Sequence, residues 1–139
     1  MVFITYVLWE ENLDNEDPWG VLSIDARNAF NGGNRKLMVW VAHHEWPTGA
    51  RLLFNMYRHH VILILRGETK KDAKIILSKE GTTQGSPLAT TDYGLLVLPM
   101  IRQLKVEFSD INSPWFVDDG VVVGKLERVI NCFLRLCEI

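Results

Sequence analysis

Three aspartates are the residues whose type and position best suit chemistry. Asp25 ends the apolar run 20–25, and Asp118 and Asp119 lie between two further apolar runs, 115–117 and 121–123. Carboxylates that converge at the ends of core strands repel one another unless a cation lies between them. Mg²⁺ prefers one or two carboxylates, several waters and substrate phosphates, and two such ions about 4 Å apart can clamp an in-line phosphoryl transfer. The three aspartates therefore predict a divalent-metal site, with plain turn formation as the alternative for each.

A glycine-containing segment, 80–89 (EGTTQGSPLA), lies between these aspartates in the sequence. Gly81 and Gly85 permit close approach of the backbone to a ligand. Gln84 stands just before a predicted helix N-terminus, where backbone donors point outward. The segment is therefore a candidate for nucleotide binding, and a helix-entry hydrogen bond is the alternative role for Gln84.

The three segments together resemble motifs A, B and C of the reverse transcriptase palm encoded by retrotransposons. The matching segments are 23–31 (SIDARNAFN), 81–88 (GTTQGSPL) and 116–119 (FVDD), in that order, and the likeness spans roughly residues 19–124. The resemblance implies an RNA-directed DNA polymerase palm, which is a nucleotidyltransferase. Its reaction would be attack of a primer 3′-hydroxyl on the α-phosphate of a deoxynucleotide, with pyrophosphate leaving.

The resemblance also implies a role for each matching residue. Asp25 and Asp118 would bind the metal ions, Mg²⁺ or alternatively Mn²⁺, and Asp119 would support the second ion or the primer terminus. Phe30 would pack beneath the incoming sugar and exclude a ribose 2′-hydroxyl, although a plain core position is its alternative. Nucleotide-binding roles are implied for a further set: Ala26, Asn28, Ala29, Gln84 and Gly85. The implied partners are an RNA or DNA template with its primer, and deoxynucleoside triphosphates.

The resemblance implies that residues 1–139 form a single palm domain, a fragment without most of the fingers and without the thumb. The motif D lysine, the primer grip and the thumb would lie beyond Ile139. One rival hypothesis is a truncated, inactive retroelement remnant that persists as an inert or protein-binding α/β domain. A palm-type nucleotidyl cyclase would need a phosphate-binding loop that the sequence does not show.

The alternation of elements predicts an α/β (α+β) fold, with an antiparallel sheet backed by helices on one face. After the first strand, Asn34 can cap a helix to about Trp46, Pro47 can end it, and Thr48 can cap another. Val61–Leu65 and 75–77 predict a hairpin, and Ser86 with Pro87 can open a helix. Asp119-Gly120 predicts a second, tight hairpin turn. A final amphipathic helix is predicted with an apolar face formed by Leu126, Val129, Ile130, Phe133, Leu134 and Cys137.

Composition fits a globular protein, because 47% of the 139 residues are apolar and 23% are charged. The segment 1–19 is acidic, and the rest carries a small excess of positive charge that tolerates a polyanionic partner. We expect no signal peptide and no membrane span. Cys132 and Cys137 form neither a disulfide framework nor a zinc motif, so we expect an intracellular protein, in the nucleus or the cytoplasm. We expect core positions for Trp19, Trp40, Trp46 and Trp115, since base-stacking rings are exposed and flanked by basic groups.

Overall fold

The computed structural model describes residue 16, residues 18–68, 72–83 and 85–139, and the backbone of 2–7. The fold is of the mixed α+β class with antiparallel sheets, which confirms the predicted class. Its elements, in chain order, are β1 (Val2–Val7), β2 (Trp19–Ala26), α1 (Ala29–Gly32), α2 (Arg35–Glu45), α3 (Pro47–Tyr57), β3 (Val61–Leu65), β4 (Lys74–Ser78), α4 (Ala89–Glu107), β5 (Trp115–Phe116), β6 (Asp119–Lys125) and α5 (Leu126–Glu138).

The chain divides into two compact units. Unit 1 comprises Met1–Ala29 and Val97–Ile139, and unit 2 is the continuous stretch Phe30–Leu96. The expectation of a single palm domain stays a prediction, and each unit is described below by itself.

Unit 1 is built on a four-stranded sheet in the order β1-β2-β6-β5, with every neighbouring pair antiparallel. Side chains alternate across the two central strands, so that Leu22, Ile24 and Val122 are buried together. Leu104 of α4 and Cys132 of α5 belong to the same buried cluster. The sheet is therefore backed by helices on one face, as predicted, and its other face carries the remaining alternate residues of β2 and β6.

Helix α5 packs through a face that coincides only in part with the predicted one, because Val129 is buried and Phe133 packs against the same cluster. The buried residues are Val129, Cys132 and Leu136, at i, i+3 and i+7. The predicted face was wrong at Ile130, Leu134 and Cys137, which are exposed. Both sets of residues have helical spacing, so packing against the sheet, and not periodicity, decides which are buried.

Unit 2 contains helices α2 and α3, the β3–β4 hairpin and the start of α4. Asn34 caps α2 as predicted, because its Oδ1 accepts a 3.1 Å hydrogen bond from the backbone N–H of Leu37. Pro47 begins α3 instead of only ending α2, since proline is well suited to the first turn of a helix. Ser86 precedes α4 by three residues, and its Oγ accepts from the N–H of Leu88.

The β3–β4 hairpin forms between the two segments predicted to pair, with Leu63 opposite Ile76. Its lysine-containing connection falls partly on residues 69–71, so Lys70 and Lys71 lie outside the described residues. Seven isoleucine and leucine side chains of the two strands, on both faces, are between 42% and 69% exposed. The hairpin is therefore an apolar two-stranded sheet without a covering layer in unit 2.

No helix in the described ranges combines the length and the apolar character needed to cross a membrane.

Candidate active site

Asp25 and Asp119 are direct cross-strand partners on the two central strands of unit 1. Strands β2 and β6 pair so that the Cα atoms of Asp25 and Asp119 stand opposite each other. Residues directly opposite in an antiparallel pair point to the same face, with Cβ atoms about 5 Å apart. The neighbouring pair, Ile24 and Gly120, belongs to the helix-covered face, so the two aspartates lie on the other face. Both are exposed.

Asp118 directly precedes Asp119 and is the second residue of the β5–β6 turn. Phe116 pairs with Asp119, so the two-residue turn is formed by Val117 and Asp118. The predicted Asp-Gly turn is wrong by two residues. Gly120 instead lies within β6, where a Cβ would come within 2.8 Å of the Trp115 ring. Close packing, and not turn geometry, therefore explains this glycine.

Val117 has a φ of +58°, in the left-handed region that a β-branched residue rarely adopts. A positive φ at the first central residue alone, as here, is the pattern of a type II′ turn, in which glycine is favoured. Such a conformation costs about 1–3 kcal/mol and persists only where the surroundings enforce it. The strained residue therefore immediately precedes the pair Asp118-Asp119.

The aspartates offer the oxygen ligands that Mg²⁺ prefers, because Mg²⁺ is bound by one or two carboxylates together with waters and phosphates. Like charges directly opposite each other destabilise a sheet, and a cation removes that cost. Within the described residues, no group of three or more His, Cys, Asp or Glu side chains is arranged to hold a metal ion. Asp25 and Asp119 therefore form a cross-strand pair of carboxylates with Asp118 next in the chain, and the metal site predicted for these three residues stays a prediction.

In unit 2, residues that follow β2 are hydrogen-bonded to the loop that contains Gly81. The Phe30 carbonyl accepts a 2.6 Å hydrogen bond from the N–H of Thr82, and the Gly33 carbonyl accepts one of 2.7 Å from Gly81. Gly81 has a φ of +72°, and a Cβ there would overlap the carbonyl oxygen of Phe30. Only glycine permits this approach. Two of the resembling segments are therefore joined by backbone contacts.

The remaining predicted nucleotide-binding residues have varied positions. The Phe30 ring is half-buried and lies 5.3 Å from the Tyr93 ring, centroid to centroid. Asn28 has a φ of +56°, which asparagine tolerates better than most residues, and Ala26 and Ala29 are half-buried. Gly85 is exposed with a φ of +85°. Gln84 lies outside the described residues.

Arg35 is a buried cation that holds this loop, and sequence reasoning missed it. Its Nε donates a 2.6 Å hydrogen bond to the Gly81 carbonyl, and its Nη1 and Nη2 donate to the carbonyl and Oγ of Ser78 at 2.8 and 2.9 Å. Burial lowers the pKa of Arg35, which the nearby Tyr57 and Glu80 oppose. An arginine in the first turn of a helix carries no local indication of such a role, since the partners are more than 40 residues away.

Tyr57 and Asp92 form a second buried polar pair in unit 2. The Tyr57 hydroxyl donates a 2.9 Å hydrogen bond to Asp92 Oδ2, and the guanidinium of Arg35 lies 5.1 Å from the Tyr57 ring centroid. Asp92 is 0% exposed, and its Oδ1 has no hydrogen-bond partner among the described residues. Burial raises the pKa of the Asp92 carboxyl, and the hydrogen bond from Tyr57 opposes this rise. Burial also raises the pKa of Tyr57, and its hydrogen bond to Asp92 adds to the rise.

Comparison of this chain with protein-family models, with curated proteins and with solved structures gave no match.

Proposed function

We propose that this chain is a metal-dependent nucleotidyltransferase of the reverse transcriptase palm type, which adds deoxynucleotides to a primer 3′-hydroxyl. The observation that carries the proposal is the cross-strand pair Asp25 and Asp119, with Asp118 on the adjoining strained turn. An uncompensated pair of opposed carboxylates costs stability, so its presence beside a second strained feature favours a ligand-binding role. The resemblance of three ordered segments supplies the reaction class.

In this proposal, Asp25 and Asp119 bind divalent cations from adjacent strands, and Asp118 adds a carboxylate from the turn. Bound Mg²⁺ would supply charge neutralisation for the triphosphate and for the attacking hydroxyl. The hydrogen-bonded register of β2 and β6 keeps the backbones of Asp25 and Asp119 opposite each other. The exposure of both side chains leaves them accessible to a nucleic-acid primer and a nucleotide.

Primer extension tests this proposal directly. The assay uses a poly(rA) template, an oligo(dT) primer and dTTP with Mg²⁺ or Mn²⁺, and it compares the chain with Asp25→Asn, Asp118→Asn and Asp119→Asn. A matched control is Asp110→Asn, which removes a surface carboxylate bound to Arg128 in the same unit. We expect incorporation by the original chain and by the control, with a loss of at least 100-fold in each active-site variant. Incorporation that survives Asp25→Asn or Asp118→Asn would refute the assignment.

Phe30 is proposed to exclude ribonucleotides, as the resemblance implies. Phe30→Ala should raise rTTP incorporation relative to dTTP, because a smaller side chain leaves room for a 2′-hydroxyl. Tyr93→Leu is the control, since it removes the ring contact of Phe30 but keeps the Phe30 ring. Equal selectivity in Phe30→Ala and the original chain would leave Phe30 with only a packing role.

A second candidate is a non-catalytic, protein-binding α/β domain. The observation in its favour is the exposed apolar β3–β4 hairpin, because large exposed apolar patches commonly mark protein interaction sites. A folded chain that incorporates no nucleotide under any of the metal conditions above would favour this candidate over the first.

A further inference from the structure

Unit 2 has a cleft between helices α2 and α3 that is lined by basic side chains. It has a volume of about 990 Å³, at the upper end of the range for small-ligand sites. Five lysine and arginine side chains line it: Arg35, Lys36, Arg51, Arg58 and Lys79. None of its lining residues is an aspartate or a glutamate. The charge of the cleft therefore suits an anionic ligand.

Four of these cations are available for a ligand. Lys36, Arg51, Arg58 and Lys79 are exposed, and none forms a side-chain hydrogen bond or ion pair with the residues that the structure describes. The fifth, Arg35, is occupied by the carbonyls of the Gly81 loop at the inner end of the cleft. Unpaired cations that line one concave surface attract phosphates, and each phosphate contact adds to a salt-dependent affinity.

Aromatic side chains alternate with these cations along both helices. On α2, Lys36 precedes Trp40 by four residues, and on α3, Arg51 precedes Phe54 by three, so each pair lies on one helix face. Trp40 is 59% exposed and Phe54 is 50% exposed. The expectation of a core position was wrong for Trp40, because the α2–α3 packing uses Met38 and Ala42 instead, and it was also wrong for Trp19, which is exposed.

Exposed rings flanked by cations are the arrangement with which proteins bind single-stranded nucleic acids, stacking bases on the rings and pairing phosphates with the charges. A base-free polyanion would use the cations but not the rings. We infer that the α2–α3 cleft binds a short single-stranded segment of nucleic acid, with bases on Trp40 and Phe54 and phosphates on Arg51, Arg58, Lys36 and Lys79. The cleft is formed by residues of unit 2 alone, and the inference does not rest on the proposed catalytic function.

Fluorescence anisotropy with labelled ten-nucleotide oligo(U) and oligo(dT) tests the inference. The titrations are made in EDTA, so that the aspartates and divalent ions cannot contribute and the outcome is independent of primer extension. Trp40→Ala should weaken binding about tenfold, and Trp40→Phe should restore most of it, because phenylalanine can still stack. Trp19→Ala is the matched control, since Trp19 is a similarly exposed tryptophan of unit 1, and it should leave the affinity unchanged.

The salt dependence of the same binding tests the cations. Removing two phosphate contacts with Arg51→Gln and Arg58→Gln together should reduce the slope of log K against log salt by about 1.4. Lys105→Gln, which removes an exposed cation of unit 1, should leave the slope as it is. A preference for oligo(U) or for oligo(dT) would identify the strand as RNA or DNA.

Competition with heparin, a polyanion without bases, separates stacking from charge alone. Heparin should compete less well than unlabelled oligonucleotide of equal charge. Equal competition, together with unchanged binding in Trp40→Ala, would overturn the inference. Absence of oligonucleotide binding by the folded chain at low salt would also overturn it, whatever the result of primer extension.

Discussion

Asp25 on β2 faces Asp119 on β6 across an antiparallel register, so two carboxylates occupy one cross-strand position of the sheet. Like charges in this relationship destabilise a sheet by about 0.5 kcal/mol. Asp119→Asn should therefore raise the free energy of unfolding by about this amount in EDTA. Mg²⁺ should stabilise the original chain, by mass action on the folded state, and should have little effect on Asp119→Asn.

Urea denaturation with and without Mg²⁺ measures both effects. Asp110→Asn serves as the control, because it removes an acid bound to Arg128 and should leave the response to Mg²⁺ intact. An Asp119→Asn variant that responds to Mg²⁺ as strongly as the original chain would place the ion elsewhere.

Val117 should be replaceable by glycine without loss of stability. Its φ of +58° is strained for valine and costs glycine nothing, so Val117→Gly should raise the free energy of unfolding by up to about 1 kcal/mol. Val121→Gly, made in the regular part of β6, should instead lower it by about 1 kcal/mol. Thermal unfolding of the two variants provides the comparison, and equal losses in both would mean that the turn is unstrained.

Arg35 should be irreplaceable by lysine. Its guanidinium group donates three hydrogen bonds, to Ser78 and Gly81, that the ammonium group of a lysine cannot reproduce. Arg35→Lys should lower the free energy of unfolding by about 2 kcal/mol, because the buried carbonyls lose charged donors. Hydrogen exchange should be faster at residues 79–83 in this variant, whereas Lys36→Ala, its exposed neighbour, should leave exchange there unchanged. Slow exchange at that loop in Arg35→Lys would show that the backbone contacts of Gly81 and Thr82 suffice.

Asp92 should make the protein less stable at neutral pH than at acid pH. Burial raises the pKa of Asp92 in the folded state. Its contribution to the free energy of unfolding is therefore fully present below the pKa of the unfolded state and is lost as the pH rises through the pKa of the folded state. Asp92→Asn keeps an acceptor for Tyr57 and removes the buried charge. The variant should be more stable than the original chain at pH 7, and the difference should shrink toward pH 4. Denaturation at several pH values measures this difference, and a pH-independent gap would contradict the assignment.

The sequence predicted the elements of this protein well where local patterns decide them. The apolar run 20–25 identified β2, and the runs 61–65 and 75–77 predicted the β3–β4 hairpin. Two failures arose where packing decides. Gly120 was assigned to a turn although it makes room for Trp115, and the buried stripe of α5 was displaced because two faces of that helix are apolar.

The three carboxylates of the candidate site could be predicted from the sequence, but the buried polar residues Arg35 and Asp92 could not. Asp25, Asp118 and Asp119 stand at strand ends that a sequence pattern reveals, and the pairing of Asp25 with Asp119 follows once β2 and β6 are neighbours. Arg35 and Asp92 gave no indication, because each is buried by partners distant in sequence. Strand β1 was also missed.

The insertion of unit 2 into unit 1 sets an order of assembly during synthesis. Unit 2 is one continuous stretch, so all of its contacts are available once Leu96 has left the ribosome. Strand β2 is made early but must wait for β6, across the whole of unit 2, before it gains its second neighbour. Non-local pairing of this kind is slow and leaves a strand edge exposed meanwhile. The opposed aspartates are therefore brought together only after unit 2 has been made, and a nascent chain that stops before β6 has no such pair.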